Sequence, residues 1–266
     1  MSGSAEDPWF NGQAPHIPAK IGDLPRICLL PGDPDRVSMA AHFLDDFTEL
    51  GFKREFRLAV GKHRGVPVAI CSTGIGGPST EIAVVELSRL GVDTFIRVGG
   101  MGAMTDAVAP GDLTVVTSAL RDGGAARFYA ADDAQIAAHP DVIAALHGAA
   151  ARGGARLQPI RVLSCDSYYV GEGRSLPGLE DAAAARLNEI KLRRPDAMDM
   201  ECETVFAVAR ALGRRFGAVL ATHGHRATNA WLQDYEPVQR QMLALAIDAA
   251  AQLAVDGFEL RDHRDG

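Results

Sequence analysis

The stretch RICLLPGDPDRVSMAAHF, residues 26–43, decides the fold class. Its apolar start over 26–30 reads as a strand buried on both faces. Pro31-Gly32-Asp33-Pro34 turns the chain, and Pro34 suits the first turn of a helix that the spacing predicts over 35–43. The same strand–turn–helix grammar recurs in VPVAICSTGIGGPSTEIAVVELSRL, residues 66–90. Working outward, the pattern predicts strands over 26–30, 66–72, 94–99, 113–118, 161–165 and 218–222. Helices are expected over 35–43, 79–90, 142–152, 202–212 and 237–255. This alternation implies an α/β protein: a single domain over 1–266 with a central mixed, largely parallel sheet flanked by helices. Residues 1–15 are expected to form a flexible N-terminal arm. Residues 121–138 and 177–199, weakly periodic and rich in Gly, Ala, Asp and Arg, are expected to be long loops or lids.

Composition narrows the function classes. Hydrophobic residues make up 47% and charged residues 23% of 266, ordinary for a globular chain, and no apolar run is long enough to cross a bilayer. The polar, acidic start carries no secretory pattern, so the expected compartment is cytoplasmic. Cys28, Cys71, Cys165 and Cys202 are far apart and form no CxxC pair, and so read as reduced thiols. A net charge of -7 argues against a nucleic-acid surface, which needs a basic face.

Four segments carry chemistry. In PGDPDR, Gly32 permits close approach of a ligand, the helix start offers N–H groups to an anion, and Arg36 can add a guanidinium fork. The alternative is an ordinary turn with a solvated Arg. In STGIGGPST, residues 72–80, the glycine spacing is neither G-x-G-x-x-G nor a P-loop, and the plain alternative is a tight turn with Ser79 as helix cap. In TFIRVGGMGA, residues 94–103, Arg97 interrupts an apolar strand. An unpaired buried guanidinium is costly, so Arg97 must face a site or a buried carboxylate, and the glycines after it leave room for a ligand. Met200-Glu201-Cys202-Glu203 carries two acids that could equally be a solvated pair.

Taken in order, PGDPDR, REF, CSTGIGGPST, TFIRVGGMGA and MECE resemble the uridine phosphorylase-like nucleoside phosphorylases over nearly the whole chain. The resemblance implies phosphorolysis: a nucleoside, uridine by the family expectation, plus inorganic phosphate gives ribose 1-phosphate and free base, with no organic cofactor. It assigns phosphate to Gly32, Arg36, Arg97 and an Arg from a neighbouring subunit, which maps onto Arg54. Ribose falls to Glu203, with Cys202 beside it and Glu201 as the supporting acid, and to His16 reaching across a dimer interface. Base recognition falls to Tyr168, Glu172 and Arg174, with His223, His225 and Arg226 in the late segment. Of these, Arg97, Glu203, Arg174 and Arg226 are the expected catalytic set. Glu55, Ile75 and Ser79 match positions that hold a monovalent cation such as K+ between subunits. Shared residues imply a homodimer unit, assembled by the family into a homohexamer.

The chain departs from the family pattern at three places. Glu172 stands where the pyrimidine branch has Gln; an ionised Glu accepts from a ring N–H but cannot donate to uracil's second carbonyl, so guanine, with adjacent N–H and NH2 donors, fits as the alternative. Gly100 replaces a Thr or Ser that touches phosphate and sugar, which leaves only the backbone N–H there. His223 and His225 fit neither branch; His225 is a candidate general acid toward the base, and H-x-H as a metal pair lacks a third ligand. A phosphate-independent nucleosidase and a nucleoside-binding protein without catalysis are the competing readings.

Overall fold

The computed structural model describes residues 4–130 and 135–262. In chain order the elements are β1 (Ile27–Pro31), α1 (Pro34–Met39), β2 (Asp45–Lys53), β3 (Phe56–His63), β4 (Val66–Cys71), α2 (Gly77–Arg89), β5 (Thr94–Ala103) and β6 (Leu113–Leu120). They continue with β7 (Gln135–Ala137), α3 (Pro140–Arg152), β8 (Leu157–Ser164), α4 (Glu180–Arg193), β9 (Ala197–Asp199), α5 (Cys202–Ala211), β10 (Arg215–His225), β11 (Ala230–Trp231) and α6 (Glu236–Asp262). All strands join one sheet in the order β11-β10-β6-β8-β9-β5-β1-β4-β3-β2, with β7 on β6. Because β10 also pairs with β5, the stretch from β10 round to β5 closes on itself.

Side chains alternate across the sheet with period two. In β1, Cys28 and Leu30 enter the core under α2 and α5, where Val84, Leu87 and Phe206 also lie. Ile27 and Leu29 enter the opposite core with Leu146 of α3 and Leu243 of α6. Both faces are therefore covered, which is why the parallel strands read as unbroken apolar runs.

The site is positioned by the parallel strands β4, β1, β5 and β10, which pair side by side. Their C-terminal ends lie along one edge, where Gly32, the loop after Cys71, Gly100 and His223 meet; open α/β sheets place ligands at such an edge.

The sheet is mixed, as the sequence implies, with β11–β10, β10–β6, β6–β7, β9–β5 and β2–β3–β4 antiparallel and the remaining pairs parallel. Other expectations need correcting. The β2–β3 hairpin was invisible in the sequence because β2 is mostly exposed and has no apolar run. Within 177–199 lies α4, which buries only Ala183 and Ile190 and so shows almost no helical periodicity. Of the loop expected over 121–138, residues 131–134 lie outside the described residues, and 135–137 form β7. α1 stops at Met39 and tightens into a 3-10 turn. Residues 1–3 of the expected arm lie outside the described residues, but the rest is tied down: Arg89 of α2 pairs with Asp7 and sits 4.3 Å over Trp9, and Ala14 is buried. No helix among the described residues is long and apolar enough to cross a membrane.

Candidate active site

A cavity of about 1010 Å3 opens at this strand edge. Its walls bring together Gly32, Arg36, Arg97, Gly100 and Glu201 with Tyr168, Glu172, Arg174, His223, His225 and Arg226, residues spread over nearly two hundred positions of sequence.

At one end, β1 delivers Gly32, whose backbone packs so closely on the glycine loop that a Cβ there would lie 3.0 Å from the Gly74 carbonyl oxygen. Thr73 and Gly74 donate their N–H groups to Pro31 and Gly32, locking the two loops together. The start of α1 is already capped, since the Asp33 carboxylate accepts from the Asp35 N–H at 2.9 Å. The N–H groups of Asp35 and Arg36 are thus taken by Asp33, and Arg36 is the cation at this end of the cavity. Arg36 is buried and fixed: its Nε donates to Gln239 Oε1 at 2.6 Å, and its Nη1 to the Val98 carbonyl.

Arg97 faces both a carboxylate partner and the cavity. Only 3% exposed, it donates from Nε to Asp199 Oδ2 at 2.9 Å and pairs through Nη2 with Glu201. Burial works against its charge, but Glu201 and Asp199 outweigh that and hold its pKa above the ordinary value. The glycines that follow do not simply leave room for ligand. A Cβ at Gly99 would lie 2.7 Å from Arg97's own Nη2, and one at Gly100 2.8 Å from His223 Nδ1. Each glycine accommodates a specific side chain of the protein.

The acidic motif divides its labour. Asp199, which the sequence reading missed although it lies two residues before Glu201, receives the N–H groups of Glu201 and Cys202 as α5 begins. Glu201 accepts from Gly76 N–H at 2.8 Å, tying the glycine loop to Arg97. Glu203 is buried, and its carboxylate accepts the N–H groups of Asp122 and Gly123, the latter at 2.8 Å. Burial outweighs those two donors and pushes its pKa up to about 7. Cys202, like Glu203, is buried and is not part of the cavity lining.

At the other end, Glu172 is buried and ion-paired with Arg174, whose guanidinium lies 3.8 Å over the Tyr168 ring. Burial raises the Glu172 pKa, and Arg174 opposes that shift. Arg226 donates to the Gly173 carbonyl at 3.2 Å. His225 is committed elsewhere: one ring nitrogen meets the Thr105 carbonyl at 3.1 Å and the other the Thr228 N–H at 3.3 Å. With both nitrogens held by backbone, the ring is a structural bracket and not a free acid. His223 lies at the Arg36 end rather than beside Arg174, against Gly100.

Of the remaining predicted residues, Ile75 lines the cavity, and Arg54, His16, Glu55 and Ser79 are not part of its lining. Arg54 sits exposed at the β2–β3 turn with φ 56°. His16 is held by Glu86, which meets its ring at 2.6 Å and accepts the N–H groups of His16 and Ile17. Ser79 is no helix cap, since the helix starts at Gly77; its hydroxyl is shared between Glu55, at 2.7 Å, and the Thr73 carbonyl, beside an Ile75 that is 77% exposed.

A closed, both-faces-covered α/β sheet with paired arginines at its strand edge defines a class, and the sequence profile agrees with it. The chain belongs to the Phosphorylase superfamily, whose profile matches residues 26–255. It is 40% identical over 231 residues to the uridine phosphorylase of Thermococcus kodakarensis, covering 85% of this chain and 83% of that protein. It is also 34% identical over 211 residues to the guanosine phosphorylase of Halorubrum lacusprofundi, covering 79% and 83%. Among solved structures, uridine phosphorylase from Vibrio fischeri matches with a TM-score of 0.79 at 28% identity over 91% of this chain and 98% of that one. Purine nucleoside phosphorylase from Toxoplasma gondii, in complex with immucillin-H, shares the fold with a TM-score of 0.82 at 24% identity over 93% and 99%.

Proposed function

We propose that this protein cleaves the N-glycosidic bond of uridine with inorganic phosphate, releasing ribose 1-phosphate and uracil in the cytoplasm. The observation that carries the reading is the pairing of Arg36 and Arg97 at one end of a single cavity with Glu172 and Arg174 at the other. Phosphate bound by the first pair has an oxygen aimed at the anomeric carbon; the new C–O bond forms as the C–N bond breaks, and the electron pair leaves with the base. Arg174 and Arg226 stabilise that developing negative charge, and water then protonates the base. Glu203 takes the ribose hydroxyls and supports positive charge on the sugar; a bound ribose replaces the N–H groups that now occupy its carboxylate. No residue in this scheme calls for an organic cofactor.

Arg54 and His16 are completed by a second copy: both lie away from the cavity of their own protomer, so we assign them to the neighbour's site in a homodimer, three of which build a hexamer. The oxygens of Glu55, Ser79 and the Ile75 carbonyl are hard donors that suit K+ at the same interface, with the second copy supplying the rest.

One observation favours a second reading, guanosine as substrate: Glu172 is a buried acceptor where a uracil edge wants a donor. The test is base release from uridine, thymidine, cytidine, inosine and guanosine, with and without phosphate. Phosphate-dependent release from uridine is expected. Cleavage of guanosine or inosine alone selects the second reading, release without phosphate makes the protein a nucleosidase, and nucleoside binding with no release makes it a binding protein.

A further inference from the structure

At the Arg36 end of the cavity stand two aromatic side chains that no part of the scheme above uses, His223 in the cavity wall and Tyr235 packed behind it. His223 lies on β10 where the ladder to β5 slips: Thr222 opposes Met101 and Gly224 opposes Gly102, which leaves His223 as the extra, unpaired residue of a bulge. Bulges re-aim a side chain, and this one turns the imidazole toward Gly100. A Cβ at residue 100 would lie 2.8 Å from His223 Nδ1 and 3.1 Å from Tyr235 Oη. The ring cannot swing away easily. It stacks on Trp231, with centroids 5.5 Å apart at 12°, and packs on Tyr235 from a different direction.

Hydrogen bonding at this point is unfinished. The Tyr235 hydroxyl is buried and has no partner among the described residues. An unpaired buried hydroxyl costs free energy that a ligand can recover. Arg36, beside them, is anchored by Gln239, so the first turn of α6 and the residue preceding it contribute to this corner. Burial and Arg36 together lower the His223 pKa to about 4, so near neutral pH the ring is uncharged and keeps one N–H to donate.

We propose that His223, backed by Tyr235, replaces the side chain missing at Gly100 and is a phosphate-binding residue of this enzyme: its ring N–H donates to the bound phosphate beside Arg36 and Arg97. Gly100 is then the condition of the arrangement and not a weakened site, because any larger residue would meet the ring. This rests on the phosphorolytic reading, and it moves His223 from the base to the phosphate.

The test is calorimetric binding of inorganic phosphate, and separately of uridine, to wild-type protein and variants whose folding is checked by circular dichroism. His223→Ile should weaken phosphate binding about tenfold and leave uridine binding within about threefold, the size expected for one hydrogen bond to a charged group. His223→Asn, which keeps an N–H donor in a smaller side chain, should recover most of that loss. Gly100→Thr alone should bind phosphate poorly, and Gly100→Thr combined with His223→Ala should bind it better than either single variant, since the hydroxyl then has room. The proposal is overturned if His223→Ile binds phosphate as tightly as wild type, or loses uridine instead. If wild-type protein binds no phosphate and cleaves no nucleoside with it, the phosphorolytic reading itself fails, a different result from the first.

Discussion

Replacing Arg97 by Met tests the link between stability and chemistry most directly. The side chain volumes are similar, but the change leaves the carboxylates of Asp199 and Glu201 in the interior without their cation. Both are almost fully buried, so water cannot compensate, and removing one partner of such an ion pair costs about 3–5 kcal/mol. In a chain of 266 residues that lowers the melting temperature by roughly 10 °C. The loss has a defined pH dependence. Without the guanidinium, burial and the neighbouring Asp199 hold the Glu201 carboxyl further above its unfolded pKa, so the stability it contributes is present below about pH 4 and disappears as pH rises through the raised value. Urea unfolding at pH 5 and pH 7.5 should therefore show the variant's deficit largest at pH 7.5. Adding Glu201→Gln should recover part of it, with a coupling of about 2 kcal/mol in the double-mutant cycle. A deficit under about 1 kcal/mol at pH 7.5, or one that grows toward acid, would refute the buried-triad account.

Glu203, with a pKa of about 7, is increasingly protonated below that pH, so nucleoside kcat/KM should fall as the solution is acidified through neutrality; Glu203→Gln should be slow and lose that limb of the profile. The same raised pKa predicts that Glu203 contributes stability below its usual carboxylate value that is lost as pH rises through about 7, visible as a difference between wild type and Glu203→Gln in urea midpoints. Glu172→Gln gives Arg174 a neutral neighbour and the base a donor; uridine KM should fall roughly tenfold while any guanosine activity declines, and an unchanged ratio of the two would disprove the role of Glu172. Mixing unfolded Arg54→Ala and Arg97→Met chains and refolding them together should restore about a quarter of wild-type turnover if the site is shared, because half the dimers are mixed and each carries one intact site. No recovery would place Arg54 outside the neighbour's site.

The linear pattern carried a good deal of this architecture. Apolar runs such as 27–30 and 68–71 are strands because both faces of the sheet are covered, and that burial is written as unbroken hydrophobicity. The glycine and arginine motifs were legible because a sharp corner and a charged residue in an apolar strand each violate a local rule, and such violations mark sites. Elements whose stability comes from neighbours left no such mark: β2 is exposed on both sides, and α4 has only two buried positions to show a period.

At the site itself, sequence determined which residue types were available, and only the tertiary structure decided which of them meet. That Arg97 is neutralised by Asp199 and Glu201, that His225 is bracketed by backbone, and that His223 fills the space over Gly100 all follow from strand register and from one bulge in β10. Register and bulges are set by pairing between segments over a hundred residues apart, as β5 and β10 are, and no local run of residues specifies such a pairing. The corner at the C-terminal ends of β1 and β5 was therefore recognisable from Gly32, Arg36 and Arg97, while its remaining partners, Tyr235 and Gln239, are brought there only by the packing of α6 and the residue before it.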